Sequence, residues 1–517
     1  MTVAIIVGYV FCGVVLGYFT LTSIQLAVRS SATTRRLTTM APAGDRPSDA
    51  DVDHDDEPRF VVLLPMLRED SGLEEACQQF LDQPFPVEVI VAVTAREERE
   101  RDTAHAALRA AVGSGDFDDI READLVRALP ADERGRLRAL AAARDATGAL
   151  DLLDRQRRAT TAERARELLP KLTALGPAVF RLVEAPATSV GKVGQMNAGL
   201  AEVAAGRDDR WTYVAVYDAD SRPDPGVLAV VAAELRRRRA GGVPPPAVFQ
   251  QVSCYCRNVG ELRGWRGALS IADALAQTRW ALGFEYPLYT RYSRAVRRRR
   301  RRPLVYCVGH GCIVSLAWLR GIGGFPTVSP NDDLALGYLA STVGAEIAPV
   351  PALDFCDVAP DPLVSIRQSR FWYLGSARFH RDLREFRKLP HATRDPLQRG
   401  MLVLGGHGRN LAWGWRAAGW LAALGTAVAI GSAPLAVALL AGHLGYVQFG
   451  FVQTVRQLRR IPAARSRTGV AALPNRMLLA ATALASVVFV LRSVGPLTGS
   501  LTTLARRVGR TEWKVER

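Results

Sequence analysis

Two carboxylates stand two residues apart at Asp218 and Asp220, at the end of an apolar run from Trp211 to Tyr217 and just ahead of the turn Ser221-Arg222-Pro223-Asp224-Pro225. A strand that delivers paired carboxylates to a loop offers oxygen ligands to a hard divalent cation. Mg²⁺ and Mn²⁺ take one or two ligands from a protein and complete their shells with water and phosphate oxygens. A solvated aspartate-rich turn has the same composition, so residues elsewhere have to decide between the two readings.

Lys192 is the first of these. Of 67 lysines and arginines only Lys171, Lys192, Lys388 and Lys514 are lysines, so the chain strongly favours arginine. A lysine kept in the glycine-bounded segment Gly191-Lys192-Val193-Gly194 suggests a need for a compact ammonium, as beside phosphate. Chance placement of a few lysines is the competing reading.

The elements that must position these groups are read from the apolar pattern. Arg59 to Leu64 is an apolar strand ending at Pro65, and Val87 to Val93 is a second. Phe180 to Val183, Trp211 to Tyr217 and Ala247 to Val252 read as further strands, with helices such as Gly226 to Arg239 between them. Short apolar strands alternating with helices predict a mostly parallel, helix-covered α/β sheet. Ligands in such sheets bind beyond the carboxyl ends of strands, where Asp218 and Asp220 fall. Residues 96–177, rich in Ala, Arg, Glu, Asp and Leu, read as a helical insertion.

With 517 residues, 48% hydrophobic and 23% charged, the chain must concentrate its apolar residues in blocks. Met1 to Val28 carries no charged side chain and is long enough to cross a bilayer at about 20 residues per helix. No basic segment precedes it and Arg29, Arg35 and Arg36 follow, which predicts an uncleaved anchor with the next part of the chain in the cytosol. A second block has no formal charge from Ala417 to Val455, enough for two spans around a turn at Gly431-Ser432-Ala433-Pro434. A basic loop, Arg456 to Arg467, follows, expected in the cytosol. A last apolar stretch, Met477 to Leu491, is interrupted by Arg492, which is expected to snorkel, and continues toward Leu504.

The expected organisation is therefore a membrane helix over 1–28, a basic then acidic linker over 29–57, and an α/β domain over 58–365. Interfacial helices over 366–410, three or four transmembrane or re-entrant helices over 411–504, and a basic tail over 505–517 complete it. An integral protein of the cell membrane with its α/β domain in the cytosol follows.

Net charge is +16, with arginine runs at Arg236 to Arg239 and Arg297 to Arg302. In a chain with several spans these point to anionic lipid headgroups rather than nucleic acid. A solvated loop is the alternative, better suited to the first run than to the second. Seven cysteines at spacings that match no zinc pattern read as reduced thiols.

Taken with Arg59 to Glu69 (RFVVLLPMLRE), Gly191 to Leu200 (GKVGQMNAGL), Cys307 to Leu319 (CVGHGCIVSLAWL) and Asn331 to Gly337 (NDDLALG), the acidic triplet resembles the membrane-bound family 2 glycosyltransferases. These include ceramide glucosyltransferase-like and cellulose or hyaluronan synthase-like enzymes. The resemblance spans roughly Arg59 to Gly375 and implies a GT-A fold, a Rossmann-like mixed sheet covered by helices, and a UDP- or GDP-sugar donor. By the same resemblance Pro65, Glu69, Lys192, Asn197 and Asp218 would face the donor, and Asp218 and Asp220 would hold Mg²⁺ or Mn²⁺. Asp333 would be the catalytic base of an inverting transfer to a hydroxyl of a membrane lipid or lipid-linked acceptor. Gly309, His310, Gly311, Asp332, Gln368, Arg370 and Trp372 would line the acceptor side. A helix cap is the competing reading of Asp332 and Asp333.

Two positions depart from the family pattern. In Gln368-Ser369-Arg370-Phe371-Trp372 the arginine stands one residue early, with Phe371 in its usual place, and the aspartate that many relatives place after the second strand is missing, Glu97 and Glu98 being nearest. A processive polysaccharide synthase is the alternative activity, disfavoured by the displaced arginine and by so few spans. A catalytically silent scaffold that binds sugar nucleotides is the non-enzymatic one.

Overall fold

The computed structural model describes the chain except residues 1, 40–57, 70–71, 82, 84–85, 115–130, 144, 156–158, 190, 204–210, 330 and 509–517. The acidic part of the linker, the tail beyond 508 and part of the helical insertion lie outside the described residues. The chain forms two compact units, Val61–Arg207 on one hand and Met1–Phe60 with Asp208–Arg517 on the other.

In the first unit β1 (Arg59–Pro65, which starts just before it), β2 (Val87–Thr94) and β3 (Val179–Ala185) lie in the order β3-β2-β1. β2 and β3 pair in parallel from Glu88↔Val179 to Thr94↔Ala185. Every residue of β2 is buried, as suits a strand covered on both faces. Helices α2 (Leu73–Gln78), α3 (Ala95–Ser114), α4 (Ala131–Ala142), α5 (Ala146–Arg155), α6 (Thr161–Thr173) and α7 (Gly191–Val203) complete the unit. α7 lies directly on the strands: a Cβ at Gly199 would come within 2.8 Å of the Leu63 side chain, which would have to move aside. α6 begins in a reciprocal capping box between Thr160 and Glu163.

Glu97 and Glu98 are both engaged inside this unit. Glu97 accepts from the Thr161 amide at 3.0 Å and the Arg68 amide at 3.1 Å, and Glu98 pairs with Arg166 at 3.1 Å. They fasten the loop after β1 to α3 and α6.

The second unit opens with α1 (Thr2–Thr39) and holds β4 (Thr212–Val216), β5 (Arg222–Pro223), β6 (Val248–Cys254), β7 (Cys312–Ser315) and β8 (Ile347–Phe355). Their order is β4-β7-β6-β8-β5. β6 and β8 are parallel, whereas β7 runs antiparallel to β4 and to β6, and β5 antiparallel to β8. The sheet is therefore mixed and covered by helices, as expected of the fold class. Four-residue β7 and two-residue β5 are too short for periodicity to reveal. Helices α8 (Val227–Ala240), α9 (Gly264–Trp280), α10 (Tyr286–Arg297), α11 (Leu316–Gly321), α12 (Asp332–Val343), α13 (Pro362–Ala377) and α14 (Phe379–Phe386) accompany the strands.

Beyond them α15 (Pro396–Ala429) ends at Gly431, whose φ of +71° turns the chain into α16 (Ala433–Leu444) and, after a π turn, α17 (Gly450–Arg460). Then come α18 (Pro462–Arg467) and α19 (Asn475–Val508). Three helical stretches among the described residues are long and apolar enough to cross a membrane: Val3–Thr39, Ala433–Arg460 and Asn475–Thr502.

Two sequence expectations change. Arg492 does not snorkel; it forms an ion pair with the buried Asp273 of α9. Nor is Arg236 to Arg239 a merely solvated run, since Arg238 is buried and bonds Glu234 at 2.7 Å and Glu346 at 2.8 Å. All seven cysteines are buried.

Candidate active site

The acidic turn is built at the place where four strand ends of the second unit converge. β4 is wholly buried up to Tyr217, whose hydroxyl donates to Gln251 Oε1 at 2.6 Å. The Ser221 amide donates to the Asp218 carbonyl at 3.0 Å, closing the turn, and the Asp218 amide donates back to Ser221 Oγ at 3.3 Å. Arg222 holds the turn from below through the carbonyls of Ala219, at 2.7 Å, and Ser221, at 2.8 Å. β5 then pairs Arg222 with Phe355 and Pro223 with Asp354, which fixes the return of the chain on β8. Asp218 and Asp220 are left half-buried at the head of this clamped turn.

The β4–β7 register pairs Val216 with Cys312, so the residues just before β7 lie beside those just after β4. His310 and Gly311 are those residues. Gln250 of β6 holds them, its amide nitrogen donating to the His310 carbonyl at 3.0 Å and its oxygen accepting from the Val308 amide at 3.1 Å. Gly311 has φ +61°, and a Cβ there would lie 3.0 Å from Gln251 and 3.2 Å from Asp354. The left-handed backbone alone makes Gly311→Ala cost about 1–2 kcal/mol. A lowered denaturation midpoint is expected; an unchanged one would count against this packing.

His310 Nδ1 lies 2.7 Å from Asp354 Oδ2 and 3.3 Å from Cys356 Sγ. Ser221 Oγ donates to the same Asp354 oxygen at 3.2 Å, tying the group to the acidic turn. Burial on its own would depress the His310 pKa. The Asp354 hydrogen bond and charge, with Asp218 and Asp220 behind them, override it and raise the value to about 9. Burial and the Asp218 charge raise Asp220, while His310 opposes them. The site is thus two half-buried carboxylates backed by an imidazolium that a third, fully buried carboxylate keeps charged.

A histidine raised from about 6.5 contributes stability that is complete below that pH and is lost as pH rises through about 9. The His310 imidazole resonances should accordingly titrate near the upper value, and Asp354→Asn should bring them down. Titration at or below the ordinary histidine range in the unsubstituted protein would contradict the assignment.

His310, Asp354 and Cys356, all buried, could each offer one ligand atom to a metal ion, these atoms lying within 4.8 Å of one another. Their present geometry is that of a hydrogen-bonded group. Neighbouring ligands at about 2.1 Å from one ion sit about 3 Å apart, whereas Nδ1 and Oδ2 are 2.7 Å apart. Burial and the Asp354 charge also push the Cys356 thiol well up, which keeps it protonated. The half-buried carboxylates of Asp218 and Asp220 are the better match to a hard cation.

On the other side of His310, the Cys307 amide donates to the Asp333 carbonyl at 3.3 Å. α12 packs closely here, since a Cβ at Gly337 would meet the 306–307 backbone at 2.3–2.5 Å. Asp332 and Asp333 occupy the first turn of α12, half-buried, and Asp333 Oδ1 accepts from the Leu334 amide at 2.8 Å. Neither is the N-cap, which is the buried Asn331. α13 abuts this cap: a Cβ at Gly375 would lie 2.0 Å from Asn331 Oδ1. On α13, Gln368 and Arg370 are exposed and Trp372 is half-buried, while Arg370 donates to Thr502 Oγ1 at 3.3 Å.

Asp218, Asp220, His310, Gly311, Asp332, Asp333 and the α13 residues therefore all belong to one unit. Pro65, Glu69, Lys192 and Asn197 belong to the other, where Gln195 of α7 donates to the Met66 carbonyl at 2.7 Å just beyond the end of β1.

No family model and no curated protein matches the chain. Among solved structures it is similar to the mannosyltransferase PcManGT from Pyrobaculum calidifontis, solved in complex with GDP-Man and Mn²⁺. Identity is 18%, coverage 92% of this chain and 98% of that one, and the TM-score 0.44.

Asp354, Cys356, Ser221 and the Gln250–Gln251 pair escaped the sequence reading. Leu353-Asp354-Phe355-Cys356-Asp357 repeats the signature used for Asp218, a carboxylate at the end of an apolar run, and two glutamines inside Val248–Cys254 are a polar anomaly in a buried strand. Glu285 escaped as well. Burial pushes its carboxyl up to about 7, and the Tyr306 hydroxyl donates to it at 2.8 Å.

Proposed function

We propose that the chain is an integral-membrane, metal-dependent, inverting glycosyltransferase that moves a sugar from a UDP- or GDP-sugar to a hydroxyl of a membrane lipid or lipid-linked acceptor. The observation that carries this reading is the acidic turn after β4, backed by the His310–Asp354 pair. Two carboxylates in a clamped, half-buried turn at converging strand ends form a ready ligand set for a cation that a diphosphate completes.

Asp218 and Asp220 would hold Mg²⁺ or Mn²⁺, which supplies charge to stabilise the departing nucleoside diphosphate. Buried Asp354 keeps His310 cationic and in place, so positive charge already stands beside the turn. Asp333 accepts the proton of the acceptor hydroxyl as that oxygen attacks the anomeric carbon from the face opposite the leaving group, giving inversion. Pro65, Glu69, Lys192 and Asn197 would contact the donor, and Gly309, Asp332, Gln368, Arg370 and Trp372 the acceptor.

The exposed guanidinium groups of Arg298, Arg299 and Arg300 would sit against anionic lipid headgroups. A cytosolic sheet follows from Arg29, Arg35 and Arg36 in the C-terminal part of α1, as does residence in the cell membrane from the apolar spans. The test incubates the detergent-purified protein with UDP- and GDP-sugars, Mn²⁺ and membrane lipid extract, and identifies products by mass spectrometry. A single-sugar glycolipid is expected. A ladder of polymers would favour processive synthesis, and no turnover with any donor would favour a silent scaffold.

A further inference from the structure

α19 has the length and hydropathy of a bilayer span, yet it is fastened to α9 and α13. Just before it, Gly469 is pressed on Gly260, a Cβ there falling 2.2 Å from the Gly260 nitrogen. Midway, Arg492 pairs with Asp273 of α9, which also accepts from Ser365 of α13. The Arg492 carbonyl accepts from Ser369 Oγ at 3.2 Å, and Gly495 abuts the α13 backbone, where a Cβ would lie 2.6 Å from the Ile366 carbonyl. Near its end, Ser500 Oγ donates to the Tyr373 hydroxyl at 2.9 Å. The segment is thus fastened at its start, middle and end to elements that flank the exit of β8.

α19 meets the helical bundle over Thr482 to Phe489: Ser486 Oγ lies 2.9 Å from His443 Nε2 and accepts from Gln448 at 2.9 Å, and the Phe489 ring lies 5.9 Å from Phe19, 5.1 Å from His443 and 6.0 Å from Tyr446. The far end of the bundle is a separate cluster of Cys12, Ala423, Ala427 and Leu439, with no α19 residue in it. A helix that crossed the bilayer beside this bundle would run along that end too.

The exposed face of α19 completes the picture. Leu479, Val487, Val494 and Leu501 are 73%, 46%, 36% and 62% exposed. At 3.6 residues per turn they fall within a sector of about 80°. The opposite face carries the Arg492–Asp273 pair and the glycine contact.

Resting on the membrane reading above, we infer that α19 lies in the plane of the bilayer on the side of β4–β8, with acyl chains of that leaflet covering the Leu479–Leu501 stripe. The crossings are then α1, the second half of α15, and α16 with α17. The last residue stands on the same side as the sheet. α13, fastened to α19, is held at the lipid surface, where a lipid-borne hydroxyl would reach Trp372.

The full chain in sealed vesicles tests this. Because the native cysteines are buried, a membrane-impermeant maleimide can report Arg236→Cys, exposed on α8, and a cysteine appended after Arg517. Both should label from the same side; labelling from opposite sides in protein that resists alkaline carbonate extraction overturns the in-plane placement alone. Release by carbonate overturns the membrane reading and the placement with it. Spin labels at the four stripe positions give a second readout. They span about 33 Å of helix axis, so a crossing helix spreads their depths by nearly that distance and an in-plane helix gives one shared depth.

Discussion

Asp220→Asn should lower sugar transfer about 10²–10³-fold, with little change in folding. Asparagine keeps the shape of the side chain and removes the charge that a divalent cation needs, while the turn that positions it is held by Ser221 and Arg222 rather than by Asp220 itself. The same carboxyl is raised by burial and by Asp218, so protons compete with the cation at a higher pH than for an ordinary carboxylate. Apparent Mn²⁺ affinity should therefore weaken as pH falls through the acid range, and less so in the asparagine variant. Initial rates against Mn²⁺ concentration at several pH values measure both effects. Turnover within threefold of the unsubstituted protein at saturating Mn²⁺ would remove Asp220 from the chemistry.

Asp333→Asn is the second large effect, a loss of about 10²–10⁴ in turnover with donor binding retained, as for removal of a general base. The carboxylate sits in the first turn of α12, and its Oδ1 accepts from the Leu334 amide, so asparagine can keep that contact while losing the proton acceptor. Glu285→Gln provides the comparison. Glu285 titrates near 7, is carried by the Tyr306 hydroxyl, and Tyr306 adjoins the residue whose amide bonds Asp333. If Glu285→Gln abolishes transfer and Asp333→Asn does not, the base is Glu285. If Asp333→Asn alone collapses turnover, Glu285 remains a neighbour.

Long apolar runs told most of the fold in advance. β1, β2 and β4 lie where near-continuous apolar runs predict strands, because a strand covered on both faces has little room for polar residues, and β3 and β6 lie where shorter apolar runs do, with Arg181 in one and Gln250–Gln251 in the other. β7 and β5 were illegible for the opposite reason, being four and two residues long. Without them the approach of His310 to Asp220 was not legible. Of the site, Asp218, Asp220 and His310 were singled out from sequence. Asp354 was not, although it holds His310 and is joined to the turn through Ser221, because strand pairing and not sequence proximity brings residue 354 to residue 221. Arg492 carried a misleading signal: in an apolar run it suggests snorkelling, and its partner Asp273 is 219 residues away.

In the proposed reaction the acidic turn after β4 holds a cation together with the diphosphate of a sugar nucleotide. Titration of Mn²⁺ by electron paramagnetic resonance, with and without GDP and UDP, tests it without requiring the acceptor. Tight Mn²⁺ binding that appears with a nucleoside diphosphate and is lost in Asp220→Asn is the predicted result. Mn²⁺ binding indifferent to either nucleotide, or undiminished in Asp220→Asn, would contradict it.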